Sequence, residues 1–171
     1  MKRFARLVSL VFLVLLLASC ASAVPLPAGS SKPIEPGDKV GNVTVTKGEG
    51  EDVVYMWSGG CPEQTGAEEQ STCQLDVGTK TNVSLGVYDE TLTGKLDSIW
   101  ADQTYEMSIE GRPVNLQAFG SIDVPHPQVL SLRAWNVVLV ADKPGEVTVH
   151  SKGVVHGEPF TQTLKYAFSA P

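Results

Sequence analysis

At 171 residues, with thirteen basic against nineteen acidic side chains, the chain carries a formal net charge of −6 and has room for one domain of ordinary size. An acidic balance lacks the basic footprint that phosphate backbones require, which excludes nucleic acid as a partner. About 130 residues follow Gly41, enough for one domain that buries roughly two-thirds of its unfolded surface, with no room for a second.

The first element is an export signal. Lys2, Arg3 and Arg6 precede the apolar run Leu7–Leu17, and small residues follow. Eleven residues rise only about 16 Å as a helix against roughly 30 Å of hydrocarbon, so the run reads as a signal and not as a membrane span. The stretch LLLASCASA, Leu15–Ala23, holds two cleavage patterns: Leu-Ala-Ser-Cys is cut before Cys20, and Ala-Ser-Ala after Ala23. Leu17-Ala18-Ser19-Cys20 resembles the lipobox of bacterial lipoproteins. The resemblance implies a signal peptide over 1–19, a diacylglycerol thioether on Cys20, and a protein held by its lipids at the extracytoplasmic side of the cell membrane or outer envelope. Ala21, where some lipoproteins carry a retaining aspartate, implies outward sorting in a cell with two membranes. Use of Ala-Ser-Ala leaves instead a freely secreted protein that starts at Val24. Loss of the signal removes three basic residues and leaves ten against nineteen acidic, a net −9.

Val24–Lys39, VPLPAGSSKPIEPGDK, carries four prolines, two glycines and two serines without apolar periodicity. Residues 20–40 are therefore expected to be a lipidated cysteine and a flexible tether, extended over up to about 50 Å. The globular domain is placed at 41–171.

Alternating and β-branched runs dominate that domain and predict strands at Asn42–Thr46, Val53–Trp57, Cys73–Val77, Asn82–Tyr88, Lys95–Trp100, Tyr105–Ile109, Val114–Leu116, Leu130–Val140, Glu146–Ser151 and Phe160–Phe168. GEGED, DVGTK, LTG, EGRP, DKPGE and HGEP supply turns between them. In the last strand Phe160, Gln162, Leu164, Tyr166 and Phe168 share one face, and Glu146–Phe168 forms a terminal hairpin. No window of twelve or more residues has helical periodicity. The expected fold is all-β, a two-sheet antiparallel sandwich of the immunoglobulin-like kind. Tyr105–His150, with its EGRP hairpin and DKPGE turn, resembles immunoglobulin-like or fibronectin-like modules of bacterial surface proteins. A lipocalin-like barrel is the lesser alternative, since the G-x-W before its first strand is missing.

Cys61 and Cys73 remain as an even pair once Cys20 is set aside, and predict a disulfide closing the acidic loop between them. Eleven intervening residues without a nearby histidine do not suit zinc. Neither G-x-S-x-G nor a phosphate-cradling glycine motif is present, so no catalytic residues, metal or cofactor are assigned. His126, His150 and His156 lack metal-ligand spacing. Glu49, Glu51 and Asp52, or Glu63, Glu68 and Glu69, lack the regular spacing of a calcium loop. Asp97, Asp102 and Glu106 are separated carboxylates that only the fold can bring together.

A flat indole beside carboxylates suits a sugar ring. Trp100, followed by Ala101, Asp102 and Gln103, is the tryptophan expected to be exposed; Trp57 beside the disulfide loop and Trp135 in the most apolar strand are expected to cap and fill the core. The candidate ligand contacts are Trp100, Trp57 and Asp102. Asn42 and Asn82 stand in N-x-T and N-x-S acceptor patterns but fall in predicted strands, and are read as strand residues. The functional expectation is a lipid-anchored, non-catalytic binding module at the cell envelope, with an envelope protein or a glycan as partner. A structural accessory of a membrane complex and a secreted glycan-binding domain are the alternatives.

Overall fold

The computed structural model describes residues 32–48, 53–55, 61, 68–89, 95–124 and 132–171. The signal region, Cys20, Trp57, His126 and the acidic run 49–52 lie outside the described residues. The described chain is mostly β. Its strands are β1 (Lys39–Val40), β2 (Val43–Thr46), β3 (Val53–Tyr55), β4 (Glu68–Asp76), β5 (Lys80–Asn82), β6 (Gly86–Tyr88), β7 (Thr104–Ile109), β8 (Arg112–Pro113), β9 (Ser121–Val124), β10 (Leu132–Trp135), β11 (Val138–Ala141), β12 (Gly145–Val155) and β13 (Glu158–Ser169). Two short helices interrupt them, α1 (Leu96–Asp102) and α2 (Leu116–Phe119).

One five-stranded sheet runs β1-β2-β11-β5-β3 and the other β4-β13-β12-β7-β8. Their inward residues meet in a single core: Val43, Val45, Val83, Val137 and Leu139 from the first side, Ile109, Val147, Val149, Leu164, Tyr166 and Phe168 from the second. This is a β-sandwich held by apolar burial. The expected hairpin of β12 and β13 is its longest element, paired from Gly145–Phe168 to Val155–Glu158. Its turn is His156-Gly157, with φ of 52° and 81°, the primed geometry that matches the twist of a two-residue hairpin. Two pairings depart from the antiparallel expectation: β4 lies parallel to β13, and β3 parallel to β5.

A three-stranded sheet, β6-β10-β9, prolongs the first sheet beyond a bend. Asn82 pairs with Val138 and Gly86 with Ala134, while the intervening residues of both strands leave the ladder. A polar knot holds the bend. Asn82 Nδ2 donates to the Trp135 carbonyl at 3.0 Å, Ser84 N donates to Asn82 Oδ1 at 3.0 Å, and Ser84 Oγ lies 2.5 Å from the same carbonyl. Asn82 is fully buried and Asn42 nearly so, which closes both acceptor patterns to glycan attachment in the folded state. At Gly86 a Cβ would stand 2.7 Å from the Arg133 carbonyl oxygen, so only glycine permits this approach.

Three expectations are corrected. Lys95–Trp100 is not a strand: α1 covers Leu96–Asp102. Leu96, Ile99 and Trp100 have the i, i+3, i+4 spacing of a two-turn helix, too short to stand out in a twelve-residue window. Val114–Leu116 likewise splits into a single bridge at Val114 and the start of α2. The tether ends earlier than residue 40. Ile34 is fully buried and bridges to Val114, with Ile34 N donating to the Pro113 carbonyl at 2.8 Å. Pro36 and Gly37 form a tight turn in which Asp38 N donates to the Glu35 carbonyl at 3.0 Å and Gly37 adopts φ 96°. Proline and glycine here build a turn where composition suggested an unpacked linker. The Arg112 guanidinium donates to Asp38 Oδ2 at 3.2 Å; this partner, together with the larger effect of Glu35 N–H, holds the Asp38 carboxyl below its ordinary pKa.

Candidate functional site

Past the bend the three-stranded sheet buries its own small aliphatic cluster of Val124, Leu132 and Ala134, and aromatic rings gather on the other face of β10. On β10 the alternate residues Arg133 and Trp135 share a face, and on α1 Asp97 and Trp100 are one turn apart. The two pairs meet. Trp100 packs on Trp135 with ring centroids 5.0 Å apart and planes tilted by 52°. Arg133 Nη1 donates to Asp97 Oδ1 at 2.6 Å, while Nε and Nη2 grip Asp123 of β9 at 2.6 and 3.0 Å. One guanidinium thus ties helix, central strand and edge strand together. Its hydrogen bond is the main reason the Asp123 carboxyl sits below its ordinary pKa and, with Asp97, why the guanidinium is pushed up.

The facing wall comes from the second sheet. Gly153 of β12 pairs with Tyr105 on one side and Phe160 on the other. The two rings close over the glycine at 5.6 Å and 35°. Tyr105 joins the walls: its Oη accepts from Leu85 N at 2.9 Å and donates to Ser151 Oγ at 3.2 Å. Burial pushes its phenol up to about 12. Tyr105, Leu85 and Trp135 are half-buried and rest against the main core, so the aromatic group is the open rim of that core. Tyr88 meets His156 of the hairpin turn edge-on at 5.3 Å beside it.

Two donors at this end have no hydrogen-bond partner among the described residues although solvent does not reach them, Trp135 Nε1 and Gln103 Nε2; Tyr166 Oη, in the main core, is unpaired as well. Gln103 follows α1 directly, one turn beyond Trp100. Tyr166 is fully buried, and burial first, then the neighbouring Tyr105, pushes its phenol up. Native interiors leave few such groups unpaired.

Of the sequence candidates, Trp100 lies in this rim, half-buried, and Asp102 is exposed at the last residue of α1. Trp57 lies outside the described residues. Cys61 and Cys73 form the expected disulfide, with the Cys73 side chain in the core. The separated carboxylates do not converge, since Asp97 pairs with Arg133 and Glu106 with Lys152. His150 and His156 stand six residues apart on β12 and its turn, about 20 Å along an extended strand; His150 Nδ1 faces Thr163 Oγ1 at 3.0 Å. Among the described residues no group of three metal-binding side chains forms, and no helix is long and apolar enough to cross a membrane. An open hollow of about 480 Å³ lined by Pro36, Gly37, Thr46, Lys47 and Lys80 contains no aromatic ring.

Sequence reasoning missed Arg133, Gln103, Tyr105 and Phe160 as parts of the rim and assigned Trp135 to the core interior. Alternation placed Tyr105 and Phe160 on inward faces, but which inward faces lie at the open end depends on strand order.

No family model and no curated protein matches the chain. Among solved structures, PbICP-C in complex with falcipain-2 is similar at 15% identity and a TM-score of 0.30, over 71% of this chain and 100% of that one. Overlap of that quality is too loose to carry fold detail or function across.

Proposed function

We propose that the chain is a lipid-anchored, extracytoplasmic binding module without catalysis of its own, built on an immunoglobulin-like frame, and that it meets its partner with the aromatic rim around Trp100 and Trp135. The observation that carries the reading is the half-buried pair of indoles beside two donors, Trp135 Nε1 and Gln103 Nε2, that have no partner among the described residues. Stable cores bury their large rings and satisfy their polar atoms, and a half-exposed ring pair beside unpaired donors departs from both. The lipobox-like Leu17-Ala18-Ser19-Cys20 supports the anchor, and the envelope is the compartment such an anchor implies. Residues 21–31 extend to at most about 40 Å, so the domain stays close to the surface that holds Cys20.

Two measurements test this reading. Intact mass of the full chain from a membrane fraction is expected to show cleavage before Cys20 plus lipid, lost in Cys20→Ala. A soluble product beginning at Val24 in both overturns the anchor. Trp100→Ala is expected to lower retention on isolated cell-envelope material at least tenfold while the domain stays folded; unchanged retention moves the site elsewhere.

A further inference from the structure

We infer that the rim is a saccharide site that takes a neutral pyranoside, an inference that rests on the binding reading above and gives its ligand a chemistry. The unpaired groups of the rim are both able to donate: the Trp135 indole N–H and the Gln103 primary amide. Their complement is a ligand rich in acceptor oxygens. The walls are rings, Trp100, Trp135, Tyr105 and Phe160, so the ligand also presents a flat C–H face. The charges at this end are already partnered. Arg133, the cation of this end, is held between Asp97 and Asp123, two carboxylates against one guanidinium, so the cluster carries no net positive charge to draw an anion. Asp97 and Asp102 are exposed at the mouth and repel one. The carboxylate buried beside α1, Asp89, is already engaged and accepts from Lys95 N at 3.1 Å. A pyranose ring has hydroxyl and ring oxygens that accept, hydroxyls that donate to Asp102, and no charge.

Trp100 lies over Trp135 and helps close the donors from solvent, so the ligand enters by displacing the Trp100 ring and then stacks on it. The build of α1 allows this. It has seven residues, is held at Lys95 N by Asp89 Oδ2 and at Asp97 by Arg133, and buries Leu96, so the Trp100 ring moves about its own side-chain torsions. Helices this short draw their stability from docking alone.

The test titrates the full chain, held in a sugar-free detergent, with tri-N-acetylchitotriose, cellotriose and maltotriose, followed by calorimetry and tryptophan fluorescence. At least one trisaccharide is expected to bind. Trp135→Phe keeps a ring and removes the donor, and is expected to weaken that binding about five- to tenfold, as loss of one buried hydrogen bond does. The same variant gives up part of the ring packed on Trp100 and the main core, so affinity is compared at a temperature where circular dichroism shows both proteins folded. Absence of binding to all three sugars, or equal affinity of Trp135→Phe and the parent, overturns the proposal and leaves the donors as internal strain. Absence of sugar binding together with a lipid-bearing Cys20 leaves the anchored module standing. Sugar binding by a chain that starts at Val24 keeps the site and removes the anchor.

Discussion

Gly153→Ala is the sharpest perturbation of the rim. The Gly153 backbone is outside the left-handed region, so alanine can adopt it. On backbone entropy alone the substitution would stabilise by about 0.4–1 kcal/mol. The structure predicts the opposite sign. A Cβ at this position lies 2.0 Å from the Thr104 carbonyl oxygen, 2.8 Å from its carbon and 3.1 Å from Tyr105 Cα. All three are backbone atoms of β7, and no side chain can move to relieve them. Relief requires β7 to shift off β12, which weakens the Tyr105–Gly153 pairing, the hydrogen bond from Val154 N to Thr104 Oγ1 at 3.0 Å, and the stacking of Tyr105 on Phe160. Overpacking at the upper end of its usual range costs about 3 kcal/mol, and the entropy gain offsets part of it. The net loss is about 2–3 kcal/mol, or about 5–10 °C in a domain of this size. Urea unfolding followed by circular dichroism and tryptophan fluorescence measures it, with the slope checked for two-state behaviour. An alanine variant as stable as the parent, or more so, refutes the close approach of the two strands and the ring pair built on it.

Tyr105 and Tyr166 form a contrasting pair under the same assay. Tyr105→Phe strands Leu85 N and Ser151 Oγ and is expected to cost about 1–2 kcal/mol, whereas Tyr166→Phe deletes an unpaired hydroxyl and is expected to be neutral or stabilising. Removing the disulfide with Cys61→Ala and Cys73→Ala is expected to cost about 3 kcal/mol by release of a short closed loop, read from urea midpoints under oxidising conditions. Acid should loosen α1 and β9 before the main core. Asp123 has a folded pKa below its ordinary 3.8, so its contribution is complete above that value and is lost as pH falls through the lowered one. Because the pair is partly exposed, that contribution is under about 1 kcal/mol after screening by water. Asp123→Asn should remove the acid-dependent step in tryptophan fluorescence and leave unfolding at neutral pH nearly unchanged.

How much of this was legible in the sequence depends on the length scale of each signal. The long hairpin was legible because Phe160, Gln162, Leu164, Tyr166 and Phe168 alternate over a full strand, and a period of two over nine residues has no helical reading. The disulfide followed from counting. Helix α1 was hidden because two turns give three apolar positions, which β-strand propensity imitates when Ile99 and Trp100 are among them. The packing of residues 32–40 was hidden because Pro36-Gly37 reads equally as linker and as turn; a single buried side chain, Ile34, decides between them, and its partner Val114 is distant in sequence. The rim was half legible. Trp100 could be singled out from its neighbours, but the company of Trp135, Tyr105 and Phe160 arises from a bend at Asn82–Ser84 and a cross-sheet register through Gly153, neither of which leaves a local pattern.

The central claim is that this end of the sandwich holds donors prepared for a ligand, and the Trp135 indole N–H reports on it directly. The full chain labelled with 15N at tryptophan gives three indole signals, with Trp135→Phe identifying the one that matters. In the free protein that proton is expected at an upfield shift typical of an N–H without an acceptor, and protected from exchange with water. On addition of the trisaccharide that binds, it is expected to move downfield as an acceptor arrives. A Trp135 N–H that already has the shift of a hydrogen-bonded indole, or that does not respond to a bound sugar, contradicts the account.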